Sequence, residues 1–161
     1  MKASSISTLK KELGTLPAGD VLELCLKLIR YKKENKELLS YLLFDANNEP
    51  EYIRDIKKEI DIQFAEINLS QLYFAKKSIR KILKTTSKYI RYSGHKQTEV
   101  ELLIHFCLNL KKSGIPFKSS NALLNVYKNQ VRKIHLAISA LHEDLQHDYL
   151  EELAELNLHL V

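Results

Sequence analysis

After Ser119 the chain contains no glycine or proline, and Leu124, Tyr127, Val131, Ile134, Ile138 and Leu141 recur at intervals of three and four. That interval returns side chains to one side of a 3.6-residue turn, so the segment buries its apolar atoms best as a long helix. The stripe continues through Leu145, Tyr149, Leu153, Leu156 and Leu160. Asp148 and Glu151 have capping-box spacing, which predicts a break near residues 144–148 and a separate last helix. Only four Gly and three Pro punctuate a chain that is 45% hydrophobic. An all-β fold would need turn residues about every eight to twelve positions, and a disordered chain would be poorer in apolar residues. The expectation is an all-α fold, a single domain over residues 1–161 with roughly six to eight helices. Its helices would form an irregular bundle or a short stack of helical hairpins, HEAT-like by analogy only.

The same reading extends to the rest of the chain. A short first helix is expected over residues 5–13, stopped by Gly14. A second starts near Asp20, where Glu23 completes a D-x-x-E capping box, and places Leu22, Cys25, Leu26 and Ile29 at helical spacing. Residues 38–44 are apolar nearly all round, which predicts the most buried helix of the domain, with a turn at 47–50. Ile53, Ile56, Ile60, Phe64 and Ile67 stripe the helix after it, and Asn68 and Ser70 offer a cap for a basic helix that Gly94 stops. Thr98 and Glu101 form a T-x-x-E capping box for a helix burying Val100, Leu103, Ile104 and Cys107, and the loop GIPFKSSN beyond it is the candidate hinge. Ile29-Arg30-Tyr31 and Ile90-Arg91-Tyr92 each precede a further helix, a faint likeness that a duplicated hairpin would produce but that chance between two apolar helix pairs explains better.

Charge is distributed unevenly behind the net +5: residues 1–66 carry 11 basic and 12 acidic groups, residues 67–133 carry 14 and 2, and residues 134–161 carry none and 6. The centre of the basic region is KKSIRKILKTTSKYIRYSGHK, residues 76–96, with eight Lys or Arg and no carboxylate. On a helix at about 100° per residue, Leu72, Ala75, Ile79, Ile82, Leu83, Thr86 and Ile90 share the core side. Lys77, Arg80, Lys81, Lys84, Lys88 and Arg91 fall opposite within roughly 100° of arc, with Tyr73 among them and Phe74 and Tyr92 on the flank. Such a stripe suits an acidic partner, either nucleic-acid backbone or an acidic protein surface, and exposed tyrosines could stack on single-stranded bases. The competing expectation is a solvated face, or one paired internally with Glu143, Asp144, Asp148, Glu151, Glu152 and Glu155. In that alternative the chain is a scaffold that self-associates into a homo-oligomer through Tyr127, Val131, Ile134 and Ile138 of the long C-terminal helix. No helix-turn-helix spacing, zinc-finger pattern or RNP motif is present.

Nothing local nominates catalysis. G-x-S-x-G, Walker A and G-x-G-x-x-G are all missing from the sequence, so no catalytic residue and no cofactor is assigned and an enzyme is not the favoured class. Cys25 and Cys107 fit no metal or redox spacing and read as reduced core residues. His135 and His142 lie about 10.5 Å apart along one helix, too far to share an ion. Glu143 with His147, and Glu101 with His105, have the i,i+4 spacing of a shared ligand pair, but H-E-x-x-x-H matches neither zinc-protease nor di-iron patterns, so no metal ligand is assigned. MKASSISTLKKELG has no apolar signal region and no stretch has the length of a membrane span, which together favour a cytoplasmic protein that does not engage a membrane.

Overall fold

The structure, a computed structural model, describes residues 2–155, and these are all-helical, with eight α-helices and no strand. Leu156 and Leu160, the end of the expected apolar stripe, lie outside the described residues. The chain divides into two compact units, Met1–Phe44 and Asp45–Val161.

The first unit holds α1 (Ile6–Thr15), α2 (Ala18–Tyr31) and α3 (Lys33–Ser40); a wider π-helical turn, Tyr41–Asp45, continues α3 to the unit's boundary. Ser5 caps α1 by accepting from the Thr8 N–H at 3.2 Å, and the helix continues through Gly14 to Thr15. Helix α2 begins directly after Pro17, whose φ of −58° already suits helix entry. Asp20 therefore lies inside the first turn, and the expected Asp20–Glu23 capping box does not form. Residues 38–44 are not the most buried helix: only Tyr41 is buried, while Leu42, Leu43 and Phe44 are 53%, 59% and 75% exposed. A helix that is apolar all round is covered only when neighbours surround it, and three short helices cannot surround one another. Cys25 is likewise exposed and not a core residue.

The second unit holds α4 (Glu49–Ala65), α5 (Leu72–Ser93), α6 (Lys96–Lys112), a 3₁₀ turn (Phe117–Ser119), α7 (Asn121–Ile138) and α8 (Glu143–Glu155). Helix α6 is the centre: α4, α5 and α7 all pack on it, and α8 packs on α7, an irregular bundle. The anticipated Val100, Leu103, Ile104 and Cys107 are buried, and so are Leu102, Phe106 and Leu110, so the apolar surface wraps nearly the whole helix. On α4 the stripe Ile53, Ile56, Ile60 and Phe64 is buried, and Phe64 meets Phe106 edge-on with ring centroids 5.5 Å apart.

Helix ends depart from the sequence expectation where tertiary contacts intervene. Helix α6 starts at Lys96, so Thr98 is buried inside its first turn and donates its hydroxyl to the Glu49 carboxylate instead of capping. Asn68 accepts from the Ser70 N–H at 2.8 Å and shapes the approach to α5, whose N-cap, Gln71, makes no side-chain bond. Gly94, at φ +71°, ends α5 in the left-handed conformation, its N–H donating to the Ile90 carbonyl at 2.9 Å. The loop expected as a hinge is anchored by buried Ile115 and Phe117, the latter 5.3 Å from the Tyr127 ring. Helix α7 ends at Ile138 and α8 starts at Glu143, so the break precedes 144–148 and Asp148 and Glu151 lie within α8. Ile29-Arg30-Tyr31 closes α2 and Ile90-Arg91-Tyr92 closes α5, but α3 buries nothing where α6 forms the core, so the likeness is local only.

Candidate functional site

Helix α5 owes its position to one line of small and branched side chains. Ala75, Ile79, Ile82 and Thr86 are buried on the side that faces α4 and α6, and the Thr86 hydroxyl is satisfied by the Ile82 carbonyl at 3.0 Å. Leu72, Leu83 and Ile90 are half-buried beside that line. With this face fixed, the cationic arc must point outward. Lys77, Arg80, Lys81, Lys84 and Arg91 are exposed, and Tyr73 at the N-terminal end of the arc is 71% exposed. From Lys77 to Arg91 the row is about 21 Å long at 1.5 Å per residue.

The sixth cation, Lys88, is half-buried on a tyrosine shelf, its Nζ 5.1 Å from the Tyr89 ring centroid and 5.9 Å from that of Tyr92. Tyr89 is itself held, its hydroxyl donating to Glu59 Oε1 at 3.3 Å and its carbonyl accepting from the Tyr52 hydroxyl at 3.1 Å. Tyr73 and Phe74, at the other end of the helix, pack edge to face with centroids 5.5 Å apart, and Phe74 is 45% exposed.

Among the described residues, Lys77, Arg80, Lys81, Lys84 and Arg91 form no ion pair. The contrast with α4 is sharp. All three of its cations are engaged, Arg54 with Glu51 at 2.6 Å, Lys57 with Glu101 at 2.7 Å and Lys58 with Asp55 at 2.9 Å. The acidic helix α8 packs on α7, and Glu143, Asp144, Asp148, Glu151 and Glu152 are exposed, with His142 and His147 as the partners of Asp144 and Glu151 at 3.4 and 3.6 Å. None of these carboxylates reaches the α5 row. The α7 residues read as a self-association seam are spent inside the unit: Tyr127, Val131, Ile134 and Ile138 are at most 2% exposed, because α7 turns that stripe onto α6.

Three interhelical polar networks have no local sequence signal. Glu49 accepts from both Ser93 and Thr98, tying α4 to the junction of α5 and α6. Glu101 receives Lys57 from α4, the Tyr149 hydroxyl from α8 at 3.1 Å and Gln97 at 3.4 Å. Asp61 meets His105 Nε2 at 2.6 Å and the Asn109 amide at 2.9 Å. Glu101 and His105, spaced for a shared ion, are thus drawn to separate partners, and no group of three or more His, Cys, Asp or Glu among the described residues is placed to hold a metal. Burial, with the Glu101 charge adding to it, pushes the Tyr149 phenol up to about 12, and burial pushes the Cys107 thiol up to about 12, which leaves no thiolate for nucleophilic chemistry near neutral pH. An open cleft of about 600 Å³ beside these networks is lined by Glu49, Ile53, His95, Thr98 and Glu101.

No family model matches the chain, and no curated protein or solved structure is significantly similar to it.

Proposed function

We propose that the outer face of α5 binds the phosphate backbone of a nucleic acid and that the protein acts as a non-catalytic binding module. The observation that carries this reading is the row of five exposed cations, Lys77, Arg80, Lys81, Lys84 and Arg91, without an ion pair among the described residues. Like charges at i,i+4, as in Lys77/Lys81 and Arg80/Lys84, each cost a few tenths of a kcal/mol, roughly, in the free helix. A line of phosphates removes that cost and gains affinity from released counterions. A protein partner fits less well. Protein interfaces are built round an apolar centre and are depleted in lysine, whereas this arc has four lysines and, apart from Tyr73, no apolar side chain.

Fluorescence anisotropy of labelled oligonucleotides at low and physiological salt tests the reading. Binding should weaken steeply with salt, and the double variant Lys81→Glu, Lys84→Glu should lose at least about tenfold in affinity with its thermal unfolding unchanged. Binding that ignores both salt and charge reversal, or no binding, overturns it.

A further inference from the structure

Resting on that reading, we infer that the α5 site is selective for single-stranded nucleic acid, with Tyr73 as a base-stacking platform at one end of the phosphate-binding row. The first observation is the width of the site. A duplex is read by a helix that enters a groove about 12 Å wide, with a phosphate row on either side of it. Helix α5 is set between α4 and α6, and its flanking residues Ser78, Thr85, Tyr89 and Tyr92 on one side and Lys76 and Ser87 on the other are half-buried. Apart from Tyr73 and Phe74 at the N-terminal end, only the narrow arc of cations stands clear, enough for one strand.

The second observation is what lies beside the arc. A duplex laid along α5 carries its second phosphate row over a neighbouring helix about 8–10 Å away. On the α4 side that row finds exposed Glu51 and Asp55, and the cations Arg54 and Lys58 already paired with them. Unpaired positive charge ends at the edge of α5 on that side, and a second strand is repelled.

The third is the aromatic residue in line with the charges. Tyr73 lies five helical turns before Arg91, hence at the same angle, about 27 Å away along the axis. Its ring is 71% exposed and braced edge-on by Phe74. A strand whose phosphates follow Lys77 to Arg91 thus brings a base at its end over a fixed aromatic face. Duplex bases, stacked on one another, have no free face to offer it.

The test is anisotropy with labelled oligothymidine, alone and annealed to oligodeoxyadenosine, against the full chain and the Tyr73→Ala and Tyr73→Phe variants. The single strand should bind at least about tenfold tighter than the duplex. Tyr73→Ala should weaken single-strand binding by about tenfold and leave duplex binding unchanged, while Tyr73→Phe, which keeps the ring, should bind as the parent does. Equal or tighter duplex binding, or a Tyr73→Ala variant that binds the single strand normally, overturns this inference and leaves the phosphate-binding reading standing. Binding of neither form overturns both.

Discussion

Tyr149 places a phenol hydroxyl 3.1 Å from Glu101 Oε1 with 9% of the residue exposed. Burial and then the carboxylate's charge raise it to about 12 from an ordinary 10.0, against a smaller lowering by Gln97. The folded chain therefore favours the protonated phenol. Its contribution to stability is whole below pH 10 and is lost as the pH climbs toward 12, because the unfolded phenol ionises first. Tyr127 and Cys107 act with the same sign, both raised chiefly by burial to about 12, and the thiol opens the window near its ordinary 9.0. Urea unfolding followed from pH 8 to 11 should show stability constant at first and falling above about pH 9. In Tyr149→Phe the fall above pH 10 should be shallower by about one proton, ~1.4 kcal/mol per pH unit, and an unchanged slope would show that the phenol is not held protonated. The α5 cations are countable by the same kind of reasoning. Five contacts to a single strand give a slope of log affinity against log salt of about −3.5, and Lys84→Gln should flatten it by about 0.7. A slope near zero would mean that the row does not meet phosphates.

At the scale of elements, α6 shows what the sequence makes legible and what it hides. Its stripe Val100, Leu103, Ile104 and Cys107 follows from spacing alone, and all four are buried. That α6 is the centre of the unit was not legible, because residues 38–44 carry the same apolar-all-round pattern and yet leave Leu42, Leu43 and Phe44 exposed. Phe106→Ala, removing a fully buried ring, should cost ~3–5 kcal/mol in urea unfolding, whereas Phe44→Ala, at 75% exposure, should change stability by less than ~0.5 kcal/mol. Similar costs at the two positions would contradict the burial pattern. Gly94, which sequence and structure agree upon as the stop of α5, holds φ +71° with open space round its α-carbon. Gly94→Ala meets no clash and pays only for backbone conformation, so ~1–2 kcal/mol is expected from the same measurement. The capping boxes at Asp20 and Thr98 failed for a common reason: each motif is local, and a proline in one case and the Glu49 carboxylate in the other claimed the helix start. The α5 face was readable because charge and core on one helix share a single period. The networks of Glu49, Glu101 and Asp61 were not, since their interhelical partners stand 44 to 49 residues away in sequence.

For the whole molecule, the unequal interiors of the two units decide what each can do alone. Unit Asp45–Val161 has its helices packed on one another, α4, α5 and α7 on α6 and α8 on α7, and it contains the entire α5 row. Among its described residues, unit Met1–Phe44 has one buried side chain, Tyr41, and leaves Ile6, Leu22, Leu28 and Tyr31 more than half exposed. Its helices have 10, 14 and 8 residues, around or below the length at which an isolated helix is marginal in water, about 12–15 residues. Hydrophobic burial is the main term opposing chain entropy, and so small a buried area cannot offset the ordering of 44 residues. A chain of residues 45–161 should therefore keep a cooperative, helical thermal transition by circular dichroism, while a peptide of residues 1–44 should be largely unfolded at micromolar concentration. The charges separate in the same way. Residues 1–44 carry eight basic and five acidic side chains, all but Lys2 and Lys32 on the three helices, and none belongs to the α5 row. If that row is the binding site, the 45–161 chain should bind oligonucleotide within about twofold of the full chain and with the same salt slope. A truncated chain that melts normally but has lost more than tenfold in affinity would place the decisive phosphate contacts in the first unit, and α5 would then be a solvated face.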